Sequence, residues 1–377
     1  MRKKIQLIAA FLFVLSLVLP AHGQHPQAEK KESKIGGQLN FLGWEGYDNP
    51  AVFKPFYEQY GVVPNATYIG SNDEIISLYK AGGPGVYDMG NINSRYIEAM
   101  IEQKMLMPLD ESKLPNLKKF FPAWIKQNFG RGKDGKLYAV PAYSGYSAIC
   151  YRADIVPEPQ SWNYWRESPW KEKYAVGTNP MATVYLWAMT LGKGQDARKW
   201  TQKDLEAIKA YGMEKWKGAF TTAATIGEQI DLLVRGDVTT TDDCEPYATI
   251  EGQKRGADVK IALPAGPTKM WVNCYFVFAG AKNSETAQAW INYAISKEIA
   301  AKMATKLGVA VTNQEAYELM APELVKRVGF ENMDKTIMNA EFNVLPDSNA
   351  QDPYVKLSDI YRAFDEIKAS ASRQKSQ

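Results

Sequence analysis

The chain has 377 residues, a formal net charge of +3, two histidines and three cysteines. Arg2, Lys3 and Lys4 lie in a leading segment without acids and carry that whole surplus, so the remainder is neutral and lacks the basic field that nucleic-acid or membrane-surface binding needs. Both histidines, His22 and His25, fall at or just after the leader, which excludes Ser-His-Asp and Cys-His nucleophiles and imidazole-built zinc sites from the folded body.

In chain order, the three basic residues precede an apolar run over 5–19, broken by Pro20 and followed by the small residues Ala21 and Gly23 around His22. This pattern predicts an export signal over 1–23, cut before Gln24. The run is shorter than the ~20 residues a spanning helix needs, so a periplasmic protein is expected rather than an anchored one. Residues 24–36 are polar and charged and read as a disordered lead-in.

A buried strand is predicted over 39–42, ending at Gly43 and presenting Trp44 and Tyr47. Aromatic groups at the carboxyl end of a first strand stand where α/β sheets bind ligands. A helix follows over 50–60, then a strand over 66–69. Ser71 and Glu74 stand at capping-box spacing and open a second helix. A third strand is expected over 86–89 and a helix over 93–100. Two extended segments, 137–141 and 147–151, flank Tyr143-Ser144-Gly145-Tyr146. Helices are predicted over 184–191, 202–211, 226–234 and 354–369, and strands over 238–243, 259–262 and 271–278. Alternation of this kind argues for doubly wound α/β sheets. Trp162, Trp165 and Trp170 read as packing residues. The odd cysteine count leaves a thiol unpaired; Cys150 reads as a small buried hydrophobe, and a Cys244–Cys274 disulfide is the pairing considered.

Several of these segments, taken in order, resemble the periplasmic solute-binding proteins of the spermidine/putrescine type, which deliver ligand to an ABC transporter. The resemblance rests on Trp44 to Tyr47, Ser71 to Glu74, Tyr87-Asp88, Tyr138-Ala139-Val140-Pro141, Ser161-Trp162 with Trp165, Gly236-Asp237-Val238, Met270-Trp271, Leu307-Gly308-Val309 and the tail from Asn339 to Asn343. It covers residues 37–370. It implies a type II periplasmic binding fold: two α/β lobes of mixed sheets flanked by helices, with a ligand cleft between them. The implied lobes are 37–143 with 277–332, and 144–276 with 333–377. The implied hinge crossings lie near 142–147 and 275–278. A monomer is expected, with an ABC permease as partner, a small-molecule ligand, no cofactor and no metal.

The departures from the family pattern bear on the ligand. Its ammonium-binding carboxylates fall on Asn179 or Pro180, on Thr183 and on Asn273, so all three acids are missing. A cleft tyrosine of the family falls on Arg95, and a Trp-Gly of the hinge segment is Ser144-Gly145. Asp242, Asp243 and Glu245 cluster where the family has a cleft aromatic. The candidate ligand residues are therefore Trp44, Tyr47, Ser71, Asn93, Arg95, Asn179, Asp243, Glu245, Trp271, Asn273 and Asn343. Acids reaching the cleft mean a polyamine ligand; Arg95 reaching it means a zwitterion or organic anion, since a guanidinium matches planar acid groups. Two other functions stay open: a secreted carboxylate-based hydrolase, and a ligand sensor that docks a receptor.

Overall fold

The computed structural model describes residues 35–265, 268–327, 337–338, 340–347 and 349–375. The expected export signal and all but the last two residues of the expected lead-in lie outside them. In chain order the strands are β1 (Gly37–Gly43), β2 (Val62–Tyr68), β3 (Met89–Asn93), β4 (Ala139–Tyr146), β5 (Ala148–Arg152), β6 (Tyr174–Gly177), β7 (Thr221–Ala223), β8 (Thr240–Cys244), β9 (Val259–Ala262), β10 (Thr268–Val277), β11 (Ala310–Val311) and β12 (Ala340–Phe342). The larger sheet runs β11-β4-β10-β3-β1-β2, with β12 beside β10; the smaller runs β7-β6-β8-β5-β9. Both are mixed: β1 pairs parallel with β2 and β3, while β10 is antiparallel to β3 and β4. In the smaller sheet β6 is parallel to β7 and β8, and β5 is antiparallel to β8 and β9. The α/β class expected from strand–helix alternation is the architecture observed.

Each sheet has its own apolar core. Phe41, Phe53, Ile92, Phe276 and Trp290 pack around the larger sheet. Tyr174, Trp187, Trp200 and Trp216 pack under the smaller one, joined by Ile360 and Phe364 of the C-terminal helix Leu357–Lys375. Trp162 and Trp165 belong to this second core and Trp170 packs against it, the packing role expected for them.

Several local expectations are corrected. The third strand occupies Met89–Asn93 rather than 86–89, because these are the fully buried residues between β1 and β10. Tyr143 to Tyr146 are not a break but the second half of β4, paired to β10 and β11 on its two sides. A Cβ on Gly145 would lie 2.4 Å from Trp271, so this glycine is there to let an indole rest on the strand. The capping box at Ser71 does not form: Ser71 is the N-cap residue, its side chain makes no cap bond, and the Glu74 carboxylate accepts from the Gly70 N–H (2.7 Å) instead. A complete box is found at Thr201 and Asp204.

The cysteine pairing is also corrected. Cys150 and Cys244 form the disulfide, with Cα atoms 5.7 Å apart, and Cys274 is the free, buried thiol. The antiparallel pairing of β5 with β8 brings the two partners together, whereas Cys274 lies in the larger sheet. The chain passes from one sheet to the other at Ser147 and again between β9 and β10. Of the second expected hinge segment, Tyr275 and Phe276 lie inside β10 and pair with both β3 and β4, and Val277 pairs with β3.

Candidate functional site

The carboxyl ends of β1, β3, β6, β7 and β8 converge on one cavity of about 400 Å³. This is where open α/β sheets place ligands. From the larger sheet come Trp44, Glu45, Tyr47, Asn93, Arg95, Lys269, Trp271 and Asn273. From the smaller come Ser147, Asn179, Thr225, Gln229, Asp243 and Glu245. The first turns of the helices Asn72–Gly82, Pro180–Thr190 and Ile226–Arg235 also open onto it, and their partial positive ends favour an anionic group.

The aromatic wall is held by short polar ties. A Cβ on Gly43 would collide with the Asn91 Oδ1 at 2.1 Å; its absence lets that oxygen accept the Trp44 N–H at 2.9 Å. The indole N–H of Trp44 donates to the Asn72 Oδ1 (3.2 Å), which also accepts from the Asn93 N–H (3.1 Å). The Asn273 amide donates to the Tyr47 hydroxyl at 2.9 Å, and Tyr47 meets Tyr143 edge-on. Burial, and then the charge of Glu245, push the Tyr47 hydroxyl above its usual range, so it stays protonated. Trp271 lies over Gly145 with its indole N–H buried and unpartnered among the described residues.

The charges divide unequally. Asp242 points away from the cavity into an ion pair with the buried Lys215, and accepts from the Tyr164 hydroxyl at 2.8 Å. Asp243 faces the cavity and is already neutralised: its Oδ1 accepts from the Lys269 ammonium at 2.6 Å and from the Ser147 hydroxyl. Lys269 is 3% exposed and also donates to the Ala182 carbonyl at 2.9 Å. Glu245 has no ion-pair partner among the described residues. Burial first, then the neighbouring Asp243 charge, raise its carboxyl to about 7, against the lowering pull of Lys269. Arg95 donates from Nε to the Asn93 Oδ1 at 3.0 Å, while its Nη1 is buried with no partner among the described residues.

Nine of the eleven residues singled out from sequence line this cavity; Ser71 and Asn343 do not. Ser71 stands one residue before the cavity-lining Asn72. Asn343 is buried just beyond β12 with neither amide atom hydrogen-bonded among the described residues. Asn179 lines the cavity, but its Oδ1 is spent capping the helix Pro180–Thr190 through the Ala182 N–H at 3.1 Å. Sequence reasoning missed Glu45, Asn72, Ser147, Thr225, Gln229 and Lys269. Glu45 and Asn72 lay within segments that carried the resemblance, and Lys269 left a signal of another kind: Lys269, Trp271 and Asn273 alternate along β10, and period two puts them on one face of a strand. Among the described residues no group of side chains could hold a metal, and no helix is long and apolar enough to cross a membrane.

Two α/β sheets whose strand ends enclose an aromatic, charge-lined cavity define a receptor for a small polar solute. The comparisons agree. The chain belongs to the bacterial extracellular solute-binding protein family, whose model matches residues 51–332. It is 25% identical over 307 residues to a spermidine/putrescine-binding periplasmic protein of Escherichia coli, covering 81% of this chain and 86% of that one. Its fold matches a spermidine/putrescine transporter substrate-binding protein of Streptococcus pneumoniae with a TM-score of 0.74 at 20% identity, over 89% of this chain and 99% of that one. A GABA receptor shares the fold with a TM-score of 0.64 at 17% identity, over 89% of this chain and 96% of that one. Family and fold are those of solute-binding proteins, not of enzymes, and the hydrolase alternative falls.

Proposed function

We propose that the protein, exported to the periplasm behind a cleaved signal peptide, captures a small zwitterion and delivers it to the permease of an ABC importer. The carboxylate of the solute meets Arg95 and the helix amino ends; its ammonium meets Glu245 within the wall of Trp44, Tyr47 and Trp271. One observation carries this reading: among the described residues the cavity holds one guanidinium with a buried, unpartnered nitrogen and one partly buried carboxylate, Glu245, without an ion-pair partner, while Asp243 is already paired to Lys269 and Glu45 stands exposed to solvent. A desolvated charge needs a counter-charge, so the solute supplies one of each sign. The relatives named for spermidine and putrescine favour a second reading, a diamine held by Glu245 and Glu45, the latter on the cavity wall. That reading leaves Arg95 facing a cation. The fold shared with a GABA receptor supports a solute other than a polyamine.

The lobes are proposed to follow the two sheets, with the hinge at Ser147 and at the passage from β9 to β10. Closure would then be a population shift set by the solute's tighter contact with the closed state. Charge deletion tests the site. Arg95→Ala should abolish calorimetric binding of 4-aminobutyrate, and Glu245→Gln should weaken it at least tenfold. Full affinity retained in Arg95→Ala would remove the guanidinium from the site.

A further inference from the structure

Lys269 is placed as a ligand is placed. It leaves β10 on the same face as Trp271 and Asn273, enters the cavity wall and reaches the smaller sheet. There its ammonium sits 2.6 Å from the Asp243 carboxylate and 2.9 Å from the Ala182 carbonyl. Asp243 accepts from the Ser147 hydroxyl at the same oxygen and has a positive φ of 51°, a left-handed conformation that few side-chain-bearing residues adopt. Glu341 is the ladder neighbour of Lys269 on β12, yet among the described residues Lys269 pairs only with Asp243. A carboxylate, a carbonyl and a hydroxyl gathered in a cavity wall are the groups that recognise an alkylammonium.

We infer that Lys269 is a built-in ammonium that occupies a cation subsite of the cleft, and is the residue that excludes a second amine from the solute. The inference deepens the zwitterion reading, since it takes the cavity as the solute site and accounts for why Glu245 is the one partly buried carboxylate left for the solute, Glu45 being exposed. Removing the ammonium leaves Asp243 uncompensated in the cavity wall, a costly state that an external amine of matching shape relieves.

Chemical rescue tests it. Lys269→Ala opens the subsite, propylammonium chloride is the probe and sodium chloride the control. Propylammonium should raise the thermal midpoint of Lys269→Ala by several degrees in a concentration-dependent way. Wild type, Lys269→Met, whose stem refills the space, and Lys269→Ala/Asp243→Asn should not respond. If Lys269→Ala does not fold unaided, recovery of folded protein on dilution into propylammonium but not sodium chloride is the expected result. No rescue, or equal rescue of the double variant, overturns the inference. Putrescine titrated into Lys269→Ala should bind at least tenfold tighter than into wild type, and unchanged affinity also overturns it. Preference of the wild type for putrescine over 4-aminobutyrate would sink the zwitterion reading and with it the exclusion of a second amine, and the propylammonium response would still decide whether Lys269 fills a cation subsite.

Discussion

At the scale of single residues, Trp44 and Glu245 carry the clearest consequences. Trp44 is half-buried and tied to Asn72 rather than sunk in the core. Trp44→Ala should therefore weaken solute binding about tenfold or more through the lost aromatic face, at a stability cost of no more than ~2 kcal/mol. Calorimetry and urea unfolding measure the two; a large stability loss with unchanged affinity would make Trp44 a core residue. Glu245 sets a pH dependence. Its carboxyl stands at about 7 in the fold against an ordinary 4.5. Between those values the folded state binds more protons than the unfolded one, so solute-free stability should fall as pH rises from about 4.5 to 7, by up to ~3 kcal/mol. Solute affinity should run the other way, rising through pH 7 as Glu245 ionises to meet the ammonium. The groups facing Glu245 are Asp243, Lys269 and Tyr47. Glu245→Gln should flatten both profiles, and profiles unchanged by it would contradict the assignment.

At the scale of elements, the disulfide between β5 and β8 braces the strand that presents Asp243 and Glu245. Both sulfurs lie beside the Glu245 carbonyl oxygen, at 3.9 and 3.6 Å. The bridge closes a sequence separation of 94 residues, for which the chain-entropy account gives about 4–5 kcal/mol. Cys150→Ala/Cys244→Ala should lose stability of that order by denaturant unfolding, and protein unfolded without reductant should show one titratable thiol per chain, that of Cys274. Three thiols, or an unaltered unfolding midpoint, would contradict the pairing. The same elements show what the sequence could disclose. Strand and helix were legible wherever local periodicity sets them, as in β1, the helix Pro50–Tyr60 and β9. Cys150 with Cys244, and Gly145 with Trp271, were not, because partners far apart in the chain meet only through strand register. Tyr143 to Tyr146 looked like a break because Ser-Gly is a local turn signal, and a packing need across the sheet overrides it.

At the scale of the whole molecule, two sheets with separate cores face each other's strand ends across one charged cavity, and the neutral balance of the chain gives way there to a few placed charges. The aromatic wall and most candidate polar residues were legible because they follow strand ends. The charge bookkeeping was not: Asp242, Asp243 and Glu245 are near neighbours in sequence, yet one enters the core with Lys215, one pairs with Lys269 and one stays available. Only the paths of Lys215 and Lys269 separate them. The most direct test is calorimetric titration of the ligand-stripped protein, expressed without residues 1–23, with 4-aminobutyrate, 5-aminopentanoate, putrescine, spermidine and succinate. The account predicts micromolar or tighter binding of an ω-amino acid, at least tenfold tighter than of the diamine or the diacid. Tight binding of putrescine or spermidine with silence toward the amino acids would contradict it and put Glu45 and Glu245 at the two ends of an amine.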